Sequence, residues 1–249
     1  MKQKKSLIFA VAALMIAASF ISTPKAKADG LAPGEGFFAG AFVGMGMGIL
    51  QADVTSSTVN DDTIKNNTYS TDRGGIGFSG IQGGGWAGWG MKTADDLYLG
   101  GEISFLGSDE KIELSSSSGI SQGDDGATIT SISAQRKWSG GGAVRVGYYV
   151  NADTLFTLKG GVAVSEFDVD LGVTSESYYA GGPQMGASIE TRLSKIDPNL
   201  SLRIEGVITD YLTADFLNSS GGGLGAGSSY AAELTGTDMA SRLGVQYSF

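Results

Sequence analysis

The sequence predicts an all-β protein, an eight-stranded antiparallel transmembrane β-barrel with short periplasmic turns and four long extracellular loops. Three observations predict it. Segments of about ten residues alternate apolar and polar side chains, the pattern of a strand with lipid on one face. The connections between these segments alternate in length. Beyond residue 28 no apolar run is long enough to cross a bilayer as a helix. A membrane strand then has one solution, a closed barrel in which every backbone group finds a partner.

The last strand shows the alternation best. Leu243, Val245, Tyr247 and Phe249 share one face, and Arg242, Gly244, Gln246 and Ser248 share the other. Strand one, over 37–49, sets Phe37, Val43, Met45, Met47 and Ile49 against Phe38, Gly40, Phe42, Gly44, Gly46 and Gly48. Strand three sets Leu97, Leu99, Ile103 and Phe105 against Tyr98, Glu102 and Ser104. In strand four Trp138, Val144, Val146 and Tyr148 oppose Ser139, Arg145 and Tyr149. Strand five sets Phe156, Leu158, Val162 and Val164 against Thr157, Lys159 and Ser165. Strands six and seven present Met185, Ala187, Ile189 and Leu193, then Leu200, Leu202, Ile204 and Ile208, to the outside. Their inner faces carry Gln184, Glu190 and Arg192, then Arg203, Glu205 and Thr209. Strand two, over 76–91, has Gly and Trp on both faces, so its register stays open.

Short turns fall at 92–96, 151–154 and 194–199, rich in the Asp, Asn and Pro that turns favour. Long connections cover about 51–75, 107–133, 166–177 and 212–237. With eight strands, three short turns on one side and four long loops on the other, both chain ends fall on the short-turn side.

Composition agrees. The chain has 249 residues, 41% of them hydrophobic, and 40 are Gly without a collagen period. Charged residues make up 17%, below the quarter usual in soluble domains. Lys2, Lys4 and Lys5 precede an apolar stretch over 7–21, and Ala26-Lys27-Ala28 forms a small-x-small cleavage site. Residues 1–28 therefore read as a secretory signal peptide and 29–249 as the barrel domain. Its removal leaves 12 basic residues against 26 acidic ones, a net charge of −14, which excludes nucleic acid as a partner.

The signal peptide, the Gly-rich first strand and the terminal Tyr247-x-Phe249 together resemble the small OmpA/OmpX-type outer-membrane barrels. The resemblance implies insertion into the outer membrane of a Gram-negative cell. It also implies that the barrel-assembly machinery reads Leu243, Val245, Tyr247 and Phe249. The chain stops at its last strand, without the periplasmic peptidoglycan-binding domain of the larger members.

Glu102, Arg145, Lys159, Glu190, Arg192, Arg203, Glu205 and Arg242 all occupy inward positions. An eight-stranded barrel is just wide enough for side chains to fill, and charges buried there must pair. A salt-bridged plug is the favoured reading and a narrow polar pore the sharper one. Gly44-x-Gly46-x-Gly48 lacks the spacing of a nucleotide-binding turn and gives room to bulky neighbours instead. Residues 221–229 lack the Lys-Ser/Thr of a phosphate loop and read as a loop tip.

Asp109-Glu110, Asp124-Asp125-Gly126, Glu166, Asp168 and Asp170 make the loops acidic without EF-hand spacing, as a solvated face would. Trp89, Tyr148, Phe156, Tyr247 and Phe249 mark a periplasmic aromatic belt; Phe105, Trp138 and Tyr179 mark an outer one. With no His and no Cys, neither a Ser-His-Asp nor a Cys-His arrangement can be built. The expected function is a non-enzymatic outer-membrane barrel without cofactor or metal. It displays loops for adhesion or interaction with an unidentified surface ligand, or supports envelope integrity. A small-solute pore and a soluble secreted binding barrel are the alternatives.

Overall fold

The computed structural model describes residues 31–60, 63–70, 76–93, 96–121, 128–170, 175–220 and 228–249. The signal segment with Ala26 and Ala28, the Asp124-Asp125-Gly126 cluster and residues 221–227 lie outside the described residues. Ten strands are present among the described residues: β1 Gly36–Asn60, β2 Thr63–Ser70, β3 Ile76–Lys92, β4 Leu97–Ser108, β5 Lys111–Ser121, β6 Thr128–Asn151, β7 Thr154–Asp170, β8 Ser175–Arg192, β9 Leu200–Ser220 and β10 Ser228–Ser248.

They build eight walls. β2 and β3 form one return strand, because both pair with β1, through Asp53↔Ser70 and then Leu50↔Ile76. β4 and β5 likewise form one rising strand, both paired with β6 through Gly107↔Trp138 and Lys111↔Gln135. Between them Asp109-Glu110 forms a kink. β1 pairs with both β10 and β3, so the sheet closes and every neighbour runs antiparallel. A path across the ladders fixes the stagger: Phe38, Gly88, Glu102, Ala143, Gly161, Gln184, Thr209, Asp238, Gly48. It returns to β1 ten residues beyond its start. Closure of a barrel needs such a shear, which tilts the strands.

The period of two survives in three dimensions. Val43, Met45, Met47, Ile103, Val144, Val162, Met185, Ile204 and Val245 are exposed, and the residues beside them in the strands are buried or half-buried. This exterior is what hydrocarbon requires, not water. The register of β3, open in the sequence, is now fixed: Phe78, Gln82 and Trp86 point inward while Ile81 and Trp89 point outward. Rings of the two belts touch, Tyr247 with Phe249 at 5.1 Å, and Phe105 with Trp138 at 5.7 Å.

The segments expected as long connections differ from expectation. β1, β7 and β9 run on to Asn60, Asp170 and Ser220, and β5 occupies Lys111–Ser121. Strand pairing thus continues beyond the apolar band. The backbone ladder therefore persists where the apolar alternation of the sequence does not.

Candidate functional site in the barrel lumen

Inward side chains fill the barrel with charge. Seven of the eight sequence-selected residues are buried there: Glu102, Arg145, Lys159, Glu190, Arg203, Glu205 and Arg242. The eighth, Arg192, is a correction. It ends β8 at the short-turn rim, half-buried, with Nε 3.2 Å from the Asp153 carboxylate. Position, not parity, decides this: the ladder finishes at Arg192↔Ser201, so the side chain meets the next turn rather than the lumen.

Three tiers succeed one another along the axis. In the lowest, Arg145 donates to Glu190 and, at 3.2 Å, to the Thr157 hydroxyl. Its guanidinium lies 5.4 Å from the Phe38 and Tyr98 ring centres. Gln246 Nε2 donates to the other Glu190 oxygen at 3.0 Å. In the middle tier Arg203 donates to both oxygens of Glu102 and to Glu205, and stands 4.3 Å over the Trp86 ring. Lys159 Nζ donates to Glu205 at 2.8 Å. Arg242 reaches Glu205 and Gln82, each at 3.2 Å, and covers Phe42 at 4.8 Å. Cation–π contact adds to ion pairing once water is excluded.

The upper tier was not selected from sequence. Arg136 binds Glu110 at 2.5 Å, Asp238 at 2.7 Å and the Tyr211 hydroxyl at 3.1 Å. Gln82 Nε2 lies 3.5 Å from Glu110 and joins this tier to Arg242. Asp238 could have been found by extending the parity of Arg242 up β10. Glu110 shares parity with Glu102 but falls in a segment assigned to a connection. Arg136 has the wrong parity relative to Arg145, because a bulge between Arg136 and Trp138 resets β6. Such a bulge leaves no mark on the apolar period.

Glycines on the inner face of β1 make room for this filling. At Gly46 a Cβ would overlap the Glu110 carboxylate, and at Gly48 it would overlap the Phe78 ring. Gly40 gives the same clearance to Trp86.

The short-turn mouth of the barrel has its own cover. Residues 31–35 cross it, with Ala32 packed among Tyr98, Tyr149 and Leu155. The Tyr149 hydroxyl donates to the Pro33 carbonyl at 2.9 Å, and the Leu31 amide donates to Asn199 Oδ1 at 3.0 Å. Gly34 and Gly36 turn the chain there with φ of 74° and 77°, a region that favours glycine.

The outer acids are engaged locally. Glu166 accepts from the Trp138 indole, and Asp168 accepts from Ser177 at 2.6 Å and faces Lys137 at 3.4 Å. Among the described residues no group of three or more acidic side chains is arranged to hold a metal ion.

No family model matches the chain, and no curated protein matches it. Solved structures do. OprG, an outer-membrane protein of Pseudomonas aeruginosa, is 14% identical, with 88% of this chain and 100% of that one covered and a TM-score of 0.43. Neisserial surface protein A is 13% identical over 86% and 98%, with a TM-score of 0.41. Ail, the attachment invasion locus protein of Yersinia pestis, is 10% identical over 83% and 99%, with a TM-score of 0.35.

Proposed function

We propose that this chain is a non-enzymatic integral outer-membrane protein. On this reading it is a rigid, axially closed barrel that holds hairpins outside the cell for contact with a surface ligand. The observation that carries the reading is the balanced lumen. Arg136, Arg145, Lys159, Arg203 and Arg242 face Glu102, Glu110, Glu190, Glu205 and Asp238, all buried. Five charges of each sign, paired and hydrogen-bonded, suit a plug, whereas a conducting path needs hydrated and unmatched groups. Envelope support would follow from the same rigidity of the ion-paired lumen.

The test is conductance of the purified barrel in planar bilayers. The reading predicts a silent membrane; steady openings of defined size would transfer the assignment to the small-solute pore. A second proposal concerns assembly: the barrel-assembly machinery recognises the outward row Leu243, Val245, Tyr247 and Phe249. Deletion of Phe249 should then lower the surface level while secretion into the periplasm continues, measured by fractionation and surface labelling. Normal surface levels would refute that role.

A further inference from the structure

Between β8 and β9 the ladder rises from Arg192↔Ser201 to Gln184↔Thr209 and stops. The next residue of β8 is Pro183, which has no N–H to give. Among the described residues no β8–β9 pair lies beyond it, although β8 begins at Ser175 and β9 continues to Ser220. Over the same stretch β8 stays paired with β7 as far as Asp170↔Ser175. β9 stays with β10, but a bulge falls between Gly236↔Tyr211 and Leu234↔Ala214. There the Tyr211 carbonyl accepts from the Thr235 hydroxyl at 3.0 Å. A bulge bends and twists its strand. Two hairpins, each zipped internally, therefore meet edge to edge without a ladder.

The seam starts on the membrane side of the outer belt. Tyr179, four residues above Pro183 on β8, contacts the Trp138 ring at 6.0 Å. Its β8 lip is low, made of Ala180, Gly181 and Gly182, and Gly182 packs directly on the Asp210 carbonyl. Behind the seam the lumen is aromatic. The Phe167 ring stacks on Tyr178 at 5.4 Å and meets Tyr211 edge-on at 5.3 Å. Below these rings Arg136, tied to Tyr211, Asp238 and Glu110, closes the way down. At membrane depth, unladdered backbone is tolerated where it is buried in protein or lines a cavity.

We propose that the wall opens sideways at this seam, passing small uncharged aromatic or apolar molecules between the outer lumen and the outer leaflet. Above Gln184↔Thr209 no ladder pair among the described residues joins these two strands, whereas parting paired neighbours would strand donors and acceptors in hydrocarbon. The three rings are buried against one another, so they meet such a molecule only once the strands part, and the ion-paired floor turns it toward the bilayer. The proposal rests on the membrane reading above.

The chain has no cysteine, so a single engineered pair can lock the seam. Gly181→Cys with Leu212→Cys places thiols where the β8–β9 register, continued past Pro183, would oppose them. The assay is entry of the hydrophobic dye phenylnaphthylamine into intact cells. Cells with the wild-type or reduced double variant should take up dye several-fold faster than cells without the barrel. Oxidation should return the rate to the barrel-free level, and reduction should restore it. Oxidised and reduced cells behaving alike, or wild type matching barrel-free cells, would overturn the proposal.

Pro183→Val is the second variant, because it returns an amide to the ladder. It should slow both dye entry and amide exchange at residues 181 and 182; slowed exchange with unchanged entry would also overturn the proposal. Heat-modifiable migration of each protein from the outer-membrane fraction separates the two readings. Its absence in wild type counts against the membrane assignment, and its presence with no dye effect counts against the passage alone.

Discussion

At the scale of the residue, the lumen is governed by the cost of an unpaired charge. Arg203 serves Glu102 and Glu205 and covers Trp86, so its loss takes both hydrogen bonds from Glu102 and leaves Glu205 to Lys159 and Arg242. Arg203→Ala should lower folding stability in lipid vesicles by about 3–5 kcal/mol, read from urea unfolding. A loss near zero would mean that water enters the middle tier. Glu110 and Gly46 form a second coupled pair, since Gly46 has no side chain where the carboxylate sits. Gly46→Val should expel Glu110 and weaken protection of the Arg136 amide, which donates to the Glu110 carbonyl at 2.9 Å. Unchanged amide exchange there would contradict the coupling.

At the scale of the element, legibility follows the solvent. Where a strand lies in hydrocarbon, one face must be apolar, and the alternation of β10 from Ser241 to Ser248 can be read directly. Above the belt that requirement lapses, so the outer halves of β1, β6 and β9 look like Ser- and Thr-rich loops although their backbones are paired. Two other failures are also physical. β3 gave no register because Gly fits either face, and β6 changed parity at a bulge. The outward row itself is testable: Val162, 64% exposed between Gly142 and Pro183, should not tolerate a cation. Val162→Arg should cost about 2–4 kcal/mol of folding free energy in lipid if the residue lies near mid-membrane. No change would reverse the orientation assigned to β7.

At the scale of the whole molecule, closure and filling are one fact. A sheet that returns to β1 with a shear of ten residues leaves an interior that side chains can occupy completely. The sequence disclosed seven members of that filling, because their parity was clean. It hid the cover formed by residues 31–35, which depends on chain turns, and the upper tier, where the bulge beside Arg136 and the break at Glu110 interrupt the period. The irregularities that escaped the pattern, Pro183 and the bulge beside Tyr211, gather on one side of the outer rim. Other register shifts fall on β6, beside Arg136 and beside Tyr149.

The central claim is that lipid touches every second side chain and the charged lumen receives the others. Single cysteines carrying spin labels along residues 241–248 test it directly in vesicles, because the native chain supplies no competing thiol. Collision with oxygen, which concentrates in hydrocarbon, should peak at 243, 245 and 247 and fall at 242, 244 and 246. A flat profile, or one with its peaks on the even positions, would contradict the account.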